Sequence, residues 1–131
     1  MGANRRLDGI DQGSFSADAN LFFSRTFGMT AQVVRSYGRF GRGTEAFFVR
    51  PSYDSPTGHF HVRYGHVGDR VNDNLNAVGL FVDDDRREID SAASKTLWIR
   101  NGTFEQIRYN SNYNIYWGQT GILRSWKVDE S

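Results

Sequence analysis

The chain has 131 residues and a formal net charge of +1, from 16 basic and 15 acidic side chains. This length suits one domain or one piece of a larger one, and the near-neutral charge gives no field that would favour nucleic acid as a partner. Cysteine is absent, which excludes disulfides, thiolate chemistry and cysteine-based zinc sites.

Fourteen glycines, two prolines and an aromatic content of 15% are typical of strands joined by tight turns. The first six residues, Met-Gly-Ala-Asn-Arg-Arg, lack the apolar core of a signal peptide. No window approaches the ~18 consecutive apolar residues of a membrane-spanning helix. We therefore expect either a cytosolic protein, or a mature form or internal piece whose targeting signal lies elsewhere.

The N-terminal half alternates apolar and polar residues with a period of two, which predicts β-strands. The expected strands are 15–24, 27–37, 44–53 and 59–67. In the second of these, one face carries Phe27, Met29, Ala31, Val33 and Tyr37. The glycine-rich segment 38–43 interrupts the pattern, and the sequence Asp-Ser-Pro-Thr-Gly at 54–58 predicts a tight turn.

The C-terminal half begins with a predicted polar loop at 68–76, a short apolar run at 77–82 and a charged interruption at 83–87. Two alternating runs, 90–100 and 103–117, flank Asn101-Gly102. Asn-Gly is the preferred dipeptide of a type I′ hairpin turn, because both residues tolerate the left-handed region. A turn at 118–121 and a final strand at 122–128 complete the predicted elements.

The predicted strand 103–117 separates its residues into an apolar and a polar row. The apolar row is Ile107, Tyr109, Ser111, Tyr113, Ile115 and Trp117, and the polar row is Gln106, Arg108, Asn110, Asn112 and Asn114. At ~3.3 Å per residue the apolar row spans roughly 33 Å. Tilted by about 40°, it covers about 25 Å of bilayer, which favours a transmembrane barrel strand with a lipid-facing row.

Trp98 and Trp126 are the candidate aromatic residues at the membrane interfaces. The alternative is a half-buried strand of a soluble fold, with the asparagine row in water. Arg25, Arg35 and Arg124 count against the membrane interpretation, because a lipid-facing arginine near the midplane costs ~2–4 kcal/mol. They would have to lie near an interface, or a bulge would have to shift the register.

The histidines are the strongest candidates for chemistry. His59 and His61 share a strand face and could ligate a metal with Asp54 or Asp69, whereas His66 points to the other face. We expect no metal site, because Arg63 between the two histidines repels a cation. The aspartate-rich segments lack the spacing of calcium loops, no serine has a base and orienter, and no cofactor motif occurs. The sequence predicts no catalytic residue and no enzyme.

Several strand-and-turn stretches across the chain follow the pattern of one bacterial family. They are 7–11, 20–21, 50–55, 66–69, 78–80, 84–87 and 111–114. On these stretches the chain resembles the outer-membrane-barrel-like C-terminal region of an uncharacterised family that carries an N-terminal carbohydrate-binding-like β-sandwich. The resemblance implies a barrel region without the sandwich domain, and it supplies no catalytic residues. The chain ends in Val-Asp-Glu-Ser rather than the aromatic residue of complete barrels, which implies a fragment or a free-standing relative.

The sequence therefore predicts a single all-β domain over 1–131, an antiparallel meander that forms a barrel or part of one. The leading function is passage or surface binding in a bacterial outer membrane, with the lipid bilayer as partner. The alternative is a soluble β-barrel or sandwich, cytoplasmic or periplasmic, that binds a small apolar or carbohydrate ligand. An oligomer is compatible with either.

Overall fold

The computed structural model describes residues 2–7, 9–75, 85–99 and 105–131. Within these ranges eight strands form one sheet in the order β1 to β8, and every neighbouring pair is antiparallel. The elements are β1 Gly2–Leu7, β2 Ile10–Phe22, β3 Phe27–Tyr37, β4 Glu45–Ser55, β5 Gly58–Val67, α1 Val71–Leu75, β6 Arg86–Trp98, β7 Gln106–Trp117 and β8 Leu123–Glu130. The predicted all-β antiparallel meander is confirmed.

The period-two pattern located most strands correctly. β3 has the predicted bounds, and the tight turn at Pro56-Thr57 separates β4 from β5 as expected. Four elements differ from the prediction. β1 was not expected, and the predicted polar loop at 68–76 contains the five-residue helix α1. β2 begins at Ile10 rather than at residue 15, and β6 begins at Arg86, inside the predicted charged interruption. No helix in the described ranges is long and apolar enough to cross a membrane.

The sheet is a single open layer. Among the described residues β1 pairs only with β2 and β8 only with β7, so the meander is not a closed barrel. The two-layer sandwich offered as an alternative is likewise not what these strands form, because all eight belong to the same sheet. The predicted Asn101-Gly102 turn lies outside the described residues, although β6 and β7 pair up to Trp98 and Gln106 on either side of it.

Cross-strand register divides the sheet into two faces, because residues that pair directly point to the same side. We call one side the apolar face; a row across it is Ala31, Val49, Tyr64, Ile89, Ile115 and Trp126. We call the other the polar face; the next row there is Asp18, Gln32, Phe48, Gly65, Glu88 and Tyr116. The face predicted for Phe27 to Tyr37 is the apolar face.

Helix α1 packs on the polar face at one end of the sheet, which we call the helix end. Val71 and Asn74 are fully buried there, and Val71 meets Ala46 in a small core that Val34 and Val67 complete. The Asn74 side chain accepts a hydrogen bond from the Phe40 backbone N–H at 3.0 Å and donates to the Phe40 carbonyl at 2.9 Å. These bonds attach the 38–44 loop to the helix.

Two glycines allow the loops at the helix end to meet. Gly43 has a φ of +66°, a left-handed conformation that favours glycine, and a Cβ there would lie 2.1 Å from Asp69 Oδ1. A Cβ on Gly68 would lie 2.3 Å from the carbonyl oxygen of Gly43. The close approach fixes how the connections after β3 and β5 pack together.

Candidate functional site

The apolar face is exposed across most of the sheet. Its side chains include Phe15 and Leu21 on β2, Val33 on β3, Phe47 on β4 and Phe60 on β5, all exposed. At the far edge Trp126 is 67% exposed. Monomeric soluble proteins seldom expose contiguous apolar patches beyond a few hundred Å², which makes this face the first candidate for a functional site.

The candidate apolar row on β7 lies on this face, as the cross-strand partners require. Ile107 pairs with Leu97, Ile115 with Ile89, and Trp117 with Arg87. Ile107, Tyr109, Tyr113 and Ile115 are between 39% and 49% exposed, whereas Ser111 of the same row is 4% exposed. The large apolar side chains from Ile107 to Ile115 are therefore not covered within the described chain. The reason is the single-layer fold: the described strands all belong to one sheet, and no second sheet of the described residues packs on it.

The two candidate interface tryptophans lie on opposite faces. Trp126 pairs with Ile115 and points to the apolar face. Trp98 is the last residue of β6, pairs with Gln106 and points to the polar face. Both side chains are largely exposed, at 67% and 64%.

The three arginines that argued against a lipid-facing sheet all lie close to strand ends. Arg25 belongs to the turn between β2 and β3. Arg35 is two residues from the end of β3, and its cross-strand partner is Glu45, the first residue of β4. Arg124 is the second residue of β8 and forms an ion pair of 2.9 Å with Asp85. None of these three arginines therefore places its guanidinium at the centre of the apolar face.

The polar face carries charges that are better buried than the apolar side chains opposite. Glu88, only 8% exposed, pairs with Arg63 at 3.5 Å and with Arg86 at 3.2 Å. The Arg63 guanidinium also lies 4.6 Å from the centre of the Phe48 ring. Buried charges are tolerated when they are paired in this way.

Five polar side chains form a continuous group on the polar face of β4, β5 and β6, and we call them the histidine cluster. Asp54 Oδ1 contacts Nδ1 of His59, and Nε2 of His59 lies 2.8 Å from Nδ1 of His61. Arg50 Nη2 lies 3.3 Å from the same Nδ1. Asp90 Oδ2 lies 3.7 Å from Nε2 of His61.

The strand pattern explains the cluster. His59 and His61 are two residues apart on β5 and so share a face, and Asp54 is the direct cross-strand partner of His59. Asp90 comes from the neighbouring strand β6. The sequence indicated His59, His61 and Asp54, but it pointed to Arg63 rather than Arg50 as the neighbouring cation, and it missed Asp90. Arg50 and Asp90 could be identified as members of the cluster only from the cross-strand register.

The described residues contain no group of three or more histidine, cysteine, aspartate or glutamate side chains that could hold a metal ion. The geometry of the histidine cluster explains this for His59 and His61. Their facing nitrogens are hydrogen-bonded to each other, and the Arg50 guanidinium occupies the position beside them.

His66 is separate from the cluster. It pairs with Phe47 and Arg87 on the apolar face, as its position in the alternation predicts, and its ring stacks on Phe47 at 5.0 Å. Gln119 covers this group: it accepts a hydrogen bond from Arg87 at 2.9 Å and donates to the Val67 carbonyl at 3.2 Å. A polar group therefore borders the apolar face at the helix end.

Compared with known proteins, the chain matches no family model, no curated protein and no solved structure.

Proposed function

We propose that this sheet is part of the wall of an outer-membrane-type β-barrel, non-enzymatic, that serves passage or surface binding. The observation that carries the proposal is the distribution of the two faces: the aromatic and aliphatic face is exposed, and the paired charges lie on the opposite, better buried face. In a barrel wall the first face meets lipid and the second faces a wet interior.

The dimensions of the strands support the proposal. The apolar row on β7, from Ile107 to Trp117, spans roughly 33 Å at ~3.3 Å per residue, enough to cross the apolar band of an outer membrane when tilted. An antiparallel meander in which each strand pairs with the next is also the topology of such barrels. The positions of Arg25, Arg35 and Arg124 near strand ends remove the main electrostatic objection.

The experiment uses the two tryptophans on opposite faces. Single-tryptophan variants that keep Trp126 or Trp98, with phenylalanine at the other two positions, are folded with phospholipid vesicles that contain brominated acyl chains. We expect strong quenching of Trp126, whose side chain is on the apolar face, and weaker quenching of Trp98. A water-soluble quencher should give the reverse order. If bromolipids quench neither tryptophan and the chain is soluble alone, the membrane proposal is wrong.

A second candidate, a soluble module for an apolar ligand, has one observation in its favour. A groove of about 560 Å³ crosses β2, β3 and β4 where small side chains leave a depression. Its apolar lining comes from Ala17, Ala19, Ala31, Val33, Phe47 and Val49. If the chain is soluble in buffer and binds a fluorescent fatty acid, Ala31→Trp should fill the groove and abolish binding, whereas Asn112→Trp on the polar face should not.

A further inference from the structure

The strands of the sheet are staggered in one direction. Ala17, next to the middle of β2, leads through direct cross-strand partners on β3 to β6 to Trp117, the last residue of β7. The middle of β7 therefore lies farther from the helix end than the middle of β2. From β2 to β7 the shift averages roughly 1.3 residues per strand, or ~4.3 Å at ~3.3 Å per residue.

A stagger of this size fixes the angle between the strands and the axis of a barrel. Neighbouring strands lie ~4.8 Å apart, so a shift of ~4.3 Å per strand corresponds to a tilt of about 40°. Strands of outer-membrane barrels are tilted by ~35–45°. The angle follows from the register and the strand bounds alone, so it is independent of the apolar pattern that predicted a membrane barrel.

In a bilayer, this tilt places side chains of one cross-strand row at different depths. Ala31 on β3 and Trp126 on β8 belong to the same row. When the middles of the strands lie at one depth, each strand of a row is raised toward the helix end by ~3 Å relative to the strand before it. Trp126 is then about 15 Å closer than Ala31 to the bilayer surface at the helix end.

The same tilt brings polar side chains from different rows of the apolar face to one height. Arg35 and Glu45 form one pair, and His66 and Arg87 form a pair in the next row toward the middle of the sheet. All four lie ~10–15 Å above Ala31, near the border of an apolar band ~25 Å tall that is centred on Ala31. We call the side chains at this height the headgroup border; they are Arg35, Glu45, His66, Arg87 and Trp126.

Among the described residues, Lys95 and Glu130 are the charged side chains of the apolar face that lie nearer the middle of the bilayer. With the same tilt Lys95 is ~6 Å from the opposite border of the apolar band, a distance that the flexible stem of a lysine spans. Glu130 is the last residue of β8 and accepts a hydrogen bond from the hydroxyl of Tyr113 at 3.0 Å. Neither side chain therefore places its charge at the height of Ala31.

We propose that the headgroup border contacts the lipid headgroups at one surface of the bilayer, an assignment that rests on the barrel wall proposed above. The guanidinium groups of Arg35 and Arg87 can donate to lipid phosphate, and the Trp126 ring occupies the interface that tryptophan favours. The helix end, with α1 and the loops around it, lies beyond the headgroups in water.

The test measures the depth of two positions in the same cross-strand row. Single-tryptophan chains are folded into phosphatidylcholine vesicles whose acyl chains carry bromine either close to the headgroup or close to the chain end. One chain keeps Trp126, with phenylalanine in place of Trp98 and Trp117; the other has phenylalanine at all three positions and Ala31→Trp. We expect bromine close to the headgroup to quench Trp126 more strongly, and bromine close to the chain end to quench the Ala31→Trp probe more strongly.

Two further probes lie on β5, with phenylalanine at the three native tryptophan positions. Phe60→Trp exchanges one aromatic ring for another and, with the tilt, lies within about 5 Å of the height of Ala31, so it should behave as a deep probe even if Ala31→Trp does not fold. His66→Trp lies in the headgroup border and should behave as Trp126 does.

The proposal is overturned if Trp126 and the deep probes share one depth profile, since residues of one row would then lie at one depth, or if His66→Trp responds as the deep probes do. Strong quenching by either lipid would in that case still support the barrel wall. If neither lipid quenches any probe, the barrel wall itself is wrong, and the headgroup border is wrong with it.

Discussion

A pair of lysine substitutions in the middle of β6 separates a lipid-facing sheet from a sheet in water. Ala92 and Ala93 are consecutive, half-buried and on opposite faces. Ala92 lies opposite His61 and Asn112 on the polar face, and Ala93 lies opposite Phe60 and Ser111 on the apolar face. Lysine at either position adds the same charge and volume at the same height in the sheet, so the two variants control for each other.

The two environments predict opposite orders of stability. In a barrel wall, Ala93→Lys places an ammonium in lipid near the midplane, at a cost of ~2–4 kcal/mol, which lowers the folding equilibrium constant roughly 30- to 700-fold. Ala92→Lys faces a wet interior but crowds the histidine cluster, in a barrel as in water, and should cost about 1 kcal/mol. In water, Ala93→Lys adds a charge to an exposed face, within about 0.5 kcal/mol, whereas Ala92→Lys crowds the histidine cluster and is the more damaging change.

The assay is reversible urea unfolding of the chain in phospholipid vesicles, followed by tryptophan fluorescence, with the midpoint and slope compared among wild type and both variants. We expect Ala93→Lys to be the less stable variant by at least about 1 kcal/mol. If it unfolds at the same urea concentration as Ala92→Lys, or at a higher one, lipid does not cover the apolar face and the reasoning fails.

Three further predictions concern the loops and the histidines. Gly43→Ala should lower the free energy of unfolding by about 1–2 kcal/mol in chemical denaturation, because φ is +66° and a Cβ would meet a carboxylate oxygen; Gly41→Ala, with open space around the Cβ, is the control. Asn74→Ala should cost about 1–3 kcal/mol, because it removes the partner of the Phe40 backbone, and unchanged thermal stability would contradict this. Replacing His59 and His61 together with glutamine should leave the bound-metal content unchanged in elemental analysis, and a stoichiometric zinc lost in that variant would revive a metal site.

The strands and their faces could be predicted because alternation is a local signal. Segments such as 27–37 carry large apolar side chains at every second position, and a one-residue shift of register would reverse the face of every one of them. β1 lacks this signal: its sequence, Gly-Ala-Asn-Arg-Arg-Leu, has no apolar alternation, and its strand conformation comes from pairing with β2. Helix α1 is too short for helical periodicity to appear, and buried contacts of Val71 and Asn74 hold it in place.

The histidine cluster could be predicted only in part for a related reason. His59 and His61 follow from the alternation within one strand, and Asp54 from the tight turn that places it beside His59. Asp90 lies beyond a long connection, whose length does not specify the register of β6 against β5. The sequence could not decide whether Arg50 or Arg63 contacts the histidines, because both belong to the polar face. Arg63 pairs with Glu88 instead, and the position of Glu88 is known only from the structure.

In this sheet a charged side chain is buried on one face while large apolar side chains are exposed on the other, the reverse of the usual distribution. Any account of the sheet must explain this. In water, folding is favoured by burial of apolar surface, and paired charges contribute little or cost free energy when they are desolvated. Here Glu88 is 8% exposed on one face, while Phe60 and Trp126 are 50% and 67% exposed on the other. Because the large apolar side chains of this sheet are exposed, the hydrophobic effect contributes little to the stability of the fold in water. An apolar environment against the apolar face would supply the missing stabilisation. In the proposed barrel wall, the ionic groups that border this face near strand ends, and those on the opposite face, would lie where water can reach them while lipid covers the apolar side.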